Sequence, residues 1–111
     1  MPSVLVVDDE SQIRDLLSRW IGGDGHEVRQ AATAAAALDD MQSAPSDIVM
    51  CDVHMPGPTG IWLADRIRDS YPTTAIVFAT ADATLQPAQT FRKGIVGYVW
   101  KPFRHDLLLQ P

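Results

Sequence analysis

Apolar residues along this chain fall into two rhythms. Runs at residues 3–7, 47–51, 74–79 and 97–100 are rich in Val, Ile and aromatics, with little polar alternation. Such runs predict strands buried on both faces, which parallel sheets covered by helices contain. A more polar stretch at 27–31 predicts a short strand at a sheet edge. Between these runs the spacing changes. Ile13, Leu16, Leu17, Trp20 and Ile21 repeat at helical intervals and predict a one-sided helix over 11–21, with Ser11 as its cap and Gly22 and Gly23 as its stop. Thr33 is placed to cap an alanine-rich helix from Ala34 to about Gln42, which Pro45 closes. A third helix is expected over 60–69, offering Ile61, Leu63, Ala64 and Ile67 for burial and ending before Pro72. Residues 84–93 make a poor helix, because Pro87 is tolerable only in a first turn. Residues 106–110 leave a last helix that is short or truncated.

Strands alternating with helices predict right-handed crossovers and a doubly wound α/β fold on a five-stranded parallel sheet. The 111 residues suffice for a single domain, 1–111, with one core. Composition narrows the function by exclusion. With 46% hydrophobic and 21% charged residues, neither disorder nor a membrane span is indicated. A net charge of -5, with Arg14, Arg19, Arg66 and Arg68 scattered, argues against nucleic-acid contact by this domain. A single cysteine, Cys51, excludes an internal disulfide, and the first residues do not read as a leader, so a reducing cytoplasm is the expected setting. In mid-strand, Cys51 reads as a small buried hydrophobe rather than a nucleophile.

The chemistry lies where the strands stop. Asp8 and Asp9 follow the first run, Asp52 the third, Thr80 the fourth and Lys101 the fifth. Taken alone, Asp8 or Asp9 could cap a helix, Asp52 could open a turn, and Lys101 could simply be solvated. Parallel strands bring all of these residues to one edge, where open α/β sheets place their ligands. Three gathered carboxylates repel one another, by about 1 kcal/mol per pair at 4 Å in water and about 4 at an effective dielectric of 20. An all-oxygen set of this kind suits a hard divalent ion such as magnesium. Lys101 and Thr80 then complete a pocket for an anion beside the metal, and the anion expected is a phosphoryl group on a nucleophilic aspartate.

These residues give the chain a resemblance to the receiver domains of bacterial two-component response regulators. It rests on Val4-Leu5-Val6-Val7-Asp8-Asp9-Glu10, Asp52-Val53-His54-Met55-Pro56-Gly57-Pro58-Thr59-Gly60, Phe78-Ala79-Thr80-Ala81 and Gly97-Tyr98-Val99-Trp100-Lys101-Pro102-Phe103, in that order, and covers residues 3–106. The resemblance implies the flavodoxin-like strand order 2-1-3-4-5 and a phosphoacceptor switch rather than an enzyme. Asp52 would take phosphate from a histidine kinase or phosphotransfer protein. Asp9, Asp52 and the backbone carbonyl of His54 would bind Mg2+, with Asp8 acting through water. Thr80 and Lys101 would hold phosphoryl oxygens, with a cis peptide between Lys101 and Pro102. Thr80 and Tyr98 would form the switch, read by an output domain or partner protein at the face of the fourth helix, fifth strand and fifth helix. His54, Ala81 and Asp82 occupy positions that would tune the lifetime of the acyl phosphate, with the His54 side chain facing solvent.

Period-2 alternation puts Trp100 on the side of Tyr98, which predicts self-association, for example as a homodimer. The alternative reading is a haloacid-dehalogenase-type, Mg-dependent phosphatase, but its D-x-D pattern after the first strand is replaced here by Asp8-Asp9-Glu10. A flavodoxin-like FMN carrier would need a hydroxyl- or glycine-rich loop where Asp8 and Asp9 stand. A degenerate receiver that only binds partners would lack phosphotransfer residues that are present here.

Overall fold

The computed structural model describes residues 2–80 and 95–100, with side chains through residue 79. In chain order the elements are β1 (Ser3–Val7), α1 (Ser11–Gly23), β2 (Glu27–Ala31), α2 (Ala34–Ser43), β3 (Ile48–Cys51), α3 (Gly60–Ser70), β4 (Ala75–Thr80) and β5 (Ile95–Trp100). Every pairing is parallel, and the sheet runs β2-β1-β3-β4-β5. The helices expected at 84–93 and 106–110, and the Lys101–Pro102 peptide, lie outside the described residues.

Strand alternation splits the core into two layers. Leu5, Val7, Val49, Cys51, Ile76 and Phe78 face one side, where they join Ala34, Ala37 and Met41 of α2 and Leu63, Ala64 and Ile67 of α3. Val4 and Val6 face the other side and pack with Leu17, against which Ile13, Trp20, Ile21, Ile48 and Met50 lie partly buried. The unalternating runs follow from this arrangement, since both pleat faces meet a helix. β2 takes the edge position that its polar residues predict.

Boundaries differ from the sequence expectation for local reasons. Ser11 opens α1 instead of capping it. Glu10 holds the cap position without a side-chain hydrogen bond to the helix's free N–H groups, and its own N–H is taken by Asp8 Oδ1 at 2.9 Å. Nor do Gly22 and Gly23 stop the helix: both are helical, and the left-handed residue that turns the chain is Gly25, at φ 89°. Thr33 does cap α2, accepting from Ala36 N at 3.1 Å, and Thr59 caps α3 in the same way from Trp62 N at 3.2 Å. β5 begins two residues before the expected Gly97. Its register against β4 slips between Ile76 and Val77, which pair with Ile95 and Gly97, so Val96 is an extra residue in the manner of a bulge.

Asp47 lies just before β3 and fastens the opposite end of the sheet. Its carboxylate accepts from Ser3 N at 2.9 Å, and its own N–H donates to Ser3 O at 3.1 Å. Nearby, the buried Thr74 hydroxyl donates to Ser46 O at 2.8 Å, and Arg29 donates to Ser46 Oγ at 2.6 Å and to Ala44 O.

At the functional end, α3 starts against the backbone that leaves β3. Gly60 N donates to Val53 O at 2.9 Å, and a Cβ at Gly60 would stand 1.9 Å from Asp52 O and 2.8 Å from Asp52 C. The fold needs a residue without a side chain here, because the obstacle is backbone and cannot rotate away. Gly60→Ala is therefore expected to destabilise by about 1–3 kcal/mol or more, despite a helix propensity about 1 kcal/mol better. Thermal melting should show a midpoint lower by roughly 5–15 °C, and an unchanged midpoint would refute the close-approach requirement.

Candidate functional site

The β1 and β3 ladders each run one residue past the apolar pairs and end on a carboxylate. Val7 stands beside Cys51 and Ala31, and the ladder continues through Asp8 N to Ala31 O at 3.2 Å and Asp52 N to Val7 O at 3.1 Å. This fixes the two backbones side by side. Asp8 and Asp52 are both buried, at 1% and 7% exposure, while Asp9 is exposed. One carboxylate oxygen from each of Asp8, Asp9 and Asp52 can be chosen so that all three lie within 4.8 Å of one another.

Each buried carboxylate is anchored by a main-chain donor two residues ahead. Asp8 Oδ1 accepts from Glu10 N at 2.9 Å, and Asp52 Oδ1 accepts from His54 N at 3.2 Å. These short-range turns aim the side chains while leaving the backbones in the ladder. They also put the His54 main chain at the carboxylate, with the residue itself exposed. Val53 and Met55 hold the loop down, both buried in the core layer shared with α2 and α3. Gly57, at φ 77°, turns the chain away towards Thr59.

A set of two buried carboxylates and one exposed one, all oxygen donors, is the kind that takes a hard divalent cation with several waters retained. Without a cation the like charges oppose one another across the site. Cys51 does not take part. Its thiol is fully buried, and burial, followed by the charges of Asp52 and Asp8, pushes its pKa well above the ordinary thiol value. It stays protonated, and a protonated thiol is neither nucleophile nor good ligand.

Thr80 closes β4. Phe78 pairs with Cys51, which puts Ala79 level with Asp52 and Thr80 one residue beyond. On β5, Tyr98 pairs with Phe78 and Trp100 with Thr80. The side chains of Thr80, Tyr98 and Trp100, and all of Ala81, Asp82 and Lys101, lie outside what is described.

Two local features escape a reading of the sequence alone. One is Gly60, whose missing side chain admits the Asp52 carbonyl. The other is Arg14, whose guanidinium donates to the backbone carbonyl of Asp8 at 2.6 Å. The signal for Arg14 was its place in the first turn of α1, because helical side chains lean towards the N-terminus and so back towards the end of β1.

Comparison with known proteins agrees with this geometry. The family description "Response regulator receiver domain" matches residues 4–111. The chain is 33% identical over 104 residues to the DNA-binding transcriptional regulator NtrC of Escherichia coli K12, covering 93% of this chain and 22% of that protein. It is 35% identical over 111 residues to the positive alginate biosynthesis regulatory protein of Pseudomonas aeruginosa, covering 97% and 44%. The chain thus spans less than half the length of these relatives. Among solved structures, the chemotaxis protein CheY4 of Vibrio cholerae superposes with a TM-score of 0.89 at 34% identity, over 98% of this chain and 93% of that one. The response regulator TrrA of Thermotoga maritima, solved in complex with Mg2+ and BeF, gives 0.85 at 33% identity, over 97% and 93%. With the carboxylates, the sheet order and the family match in agreement, this chain belongs to the response regulator receiver domains.

Proposed function

We propose that the chain is a phosphoryl-accepting switch in which Asp52 takes its phosphoryl group from the phosphohistidine of a kinase or phosphotransfer protein. The observation that carries this reading is the convergence of Asp8, Asp9 and Asp52, with Asp52 largely buried just past the end of β3. In the transfer, an Asp52 carboxylate oxygen bonds to phosphorus as the P–N bond of the donor breaks. The bonding pair stays on the departing imidazole nitrogen, which takes up a proton. Charge spread over the phosphoryl oxygens must be met by fixed positive groups, and this is the main catalytic need of such a step.

Asp9, Asp52 and the backbone carbonyl of His54 would hold Mg2+, with Asp8 acting through water, and the ion would supply neutralisation of the phosphoryl charge. The fit rests on the carboxylate spacing and on the position of His54 beside Asp52. That the relative TrrA is solved with Mg2+ and BeF supports a Mg2+ site in such a domain. Lys101 and Thr80 would hold the remaining phosphoryl oxygens, from the ends of β5 and β4. Thr80 and Tyr98 would pass the change to the face formed by the fourth helix, β5 and the last helix, biasing an existing two-state equilibrium. An output domain or separate partner would read that face. The named functions of the longer relatives, DNA-binding transcriptional regulation among them, support an output of that kind. No described helix is long and apolar enough to cross a membrane. Nothing in the fold, the site or the relatives supports the haloacid-dehalogenase-type alternative.

Incubation with Mg2+ and acetyl phosphate should add one phosphoryl group to the wild type by intact-mass measurement, and none to Asp52→Asn or after chelation of the metal. Beryllium fluoride with Mg2+ should change the fluorescence of Trp62 and Trp100. A wild type silent in both assays would sink the switch. His54→Ala should shift the rate at which the acyl phosphate hydrolyses, by roughly two- to tenfold, and equal decay rates would remove His54 from the mechanism. If Tyr98 and Trp100 present the aromatic surface their spacing suggests, light scattering should report dimers at high concentration. A monomer throughout would count against self-association.

A further inference from the structure

We infer that Arg14 is a positioning residue for the metal site, acting through the peptide that joins Asp8 to Asp9. The inference rests on the phosphoacceptor reading above and adds a residue to it. Asp8 is tied at three points. Its N–H donates to Ala31 O at 3.2 Å, its Oδ1 accepts from Glu10 N at 2.9 Å, and its carbonyl accepts from Arg14 Nη1 at 2.6 Å. A peptide unit is planar, so fixing the direction of the Asp8 carbonyl also fixes the N–H of Asp9 on the opposite side and the starting direction of the Asp9 Cα. Asp9 is the exposed member of the three carboxylates, on a residue that belongs to no strand or helix. Its carboxylate therefore inherits its aim from the peptide that Arg14 holds.

Arg14 is itself well seated for this task. Its own N–H makes the opening bond of α1, to Glu10 O at 3.1 Å, and α1 is fastened to β1 through Leu17, Ile13 and Trp20. Arg14 is partly buried, and a 2.6 Å contact from a cation to a carbonyl belongs to the short, charge-assisted class.

Arg14 can influence a cation in two opposed ways. Its charge near the carboxylates repels Mg2+, so its removal should tighten binding. Its hydrogen bond aims Asp9, so its removal should loosen binding. The charge is partly solvated and screened. Groups that orient a ligand from behind typically matter 10- to 100-fold in metal affinity. Positioning therefore dominates.

The test uses the whole chain, with Arg14→Ala and Arg14→Lys, and two measurements: Mg2+ binding by calorimetry, and the rate of labelling by acetyl phosphate across a Mg2+ series. Arg14→Ala should raise both the dissociation constant and the half-saturating Mg2+ concentration about tenfold. Its labelling rate at saturating Mg2+ should stay within about threefold of wild type. Arg14→Lys, which retains a donor, should recover most of the affinity. A merely structural role would instead lower the saturating rate and leave the Mg2+ dependence where it was, which overturns the inference, as does unchanged or tighter Mg2+ binding. If Arg14→Ala does not fold, Arg14→Met keeps the apolar stem and carries the same expectation. A wild type that binds Mg2+ without accepting a phosphoryl group would overturn the phosphoacceptor reading and leave Arg14 to be judged by calorimetry. A wild type that accepts the group, beside an Arg14→Ala protein with unshifted Mg2+ dependence, would overturn only the role of Arg14. A wild type that binds no Mg2+ overturns both.

Discussion

Three carboxylates whose oxygens can gather within 4.8 Å are an arrangement that the chain must hold against its own electrostatics. In water, groups so charged would drift apart. Here they cannot, because Asp8 and Asp52 continue a parallel ladder that Val7, Ala31 and Cys51 have already set, with apolar layers closing on both faces of the sheet. Burial of those layers is the favourable term, at roughly 25 cal/mol per Å2 of apolar surface. The repulsion is a local cost set against it. Main-chain donors at Glu10 and His54 offset part of that cost at the two buried oxygens.

The physical reasons for what the sequence discloses are uneven. Strands β1, β3 and β4 stand out because residues covered on both faces need no polar alternation, and α1 stands out because Ile13, Leu17, Trp20 and Ile21 keep to one side. The strand-end carboxylates are readable from the same property, since an apolar run can end only where water begins. What stays hidden depends on distances between segments remote in sequence. Gly60 looks like an ordinary loop glycine until the Asp52 carbonyl is found where its Cβ would be. Gly22 and Gly23 mislead in the opposite direction: a glycine permits a left-handed turn without requiring one, and the turn falls at Gly25. The Val96 irregularity has no local mark either, because register is a relation between two strands.

Family membership gives these local arguments a common frame without replacing them. The receiver match spans residues 4–111, and the solved relatives superpose over nearly the whole chain. Yet the curated relatives are two to five times longer than the matched segment. The segment matched here is thus only part of those proteins. Under the function proposed above, the domain's share of the work is to convert one covalent event into a change of surface. For that, a rigid site matters more than a large one, which accounts for how much of the bonding near Asp8 and Asp52 is backbone.

The far end of the sheet shows what that rigidity rests upon. Ser3, Asp47, Ser46 and Thr74 tie the beginnings of β1, β3 and β4 together with hydrogen bonds, of which the Thr74–Ser46 bond is buried. The three strands therefore behave like beams clamped at one end. Under the proposed switch, displacements driven by charge at the opposite end would meet a sheet already held at its far end. In the proposed switch, a clamp of this kind, far from the carboxylates, would leave the sheet as the fixed frame against which a signal is made.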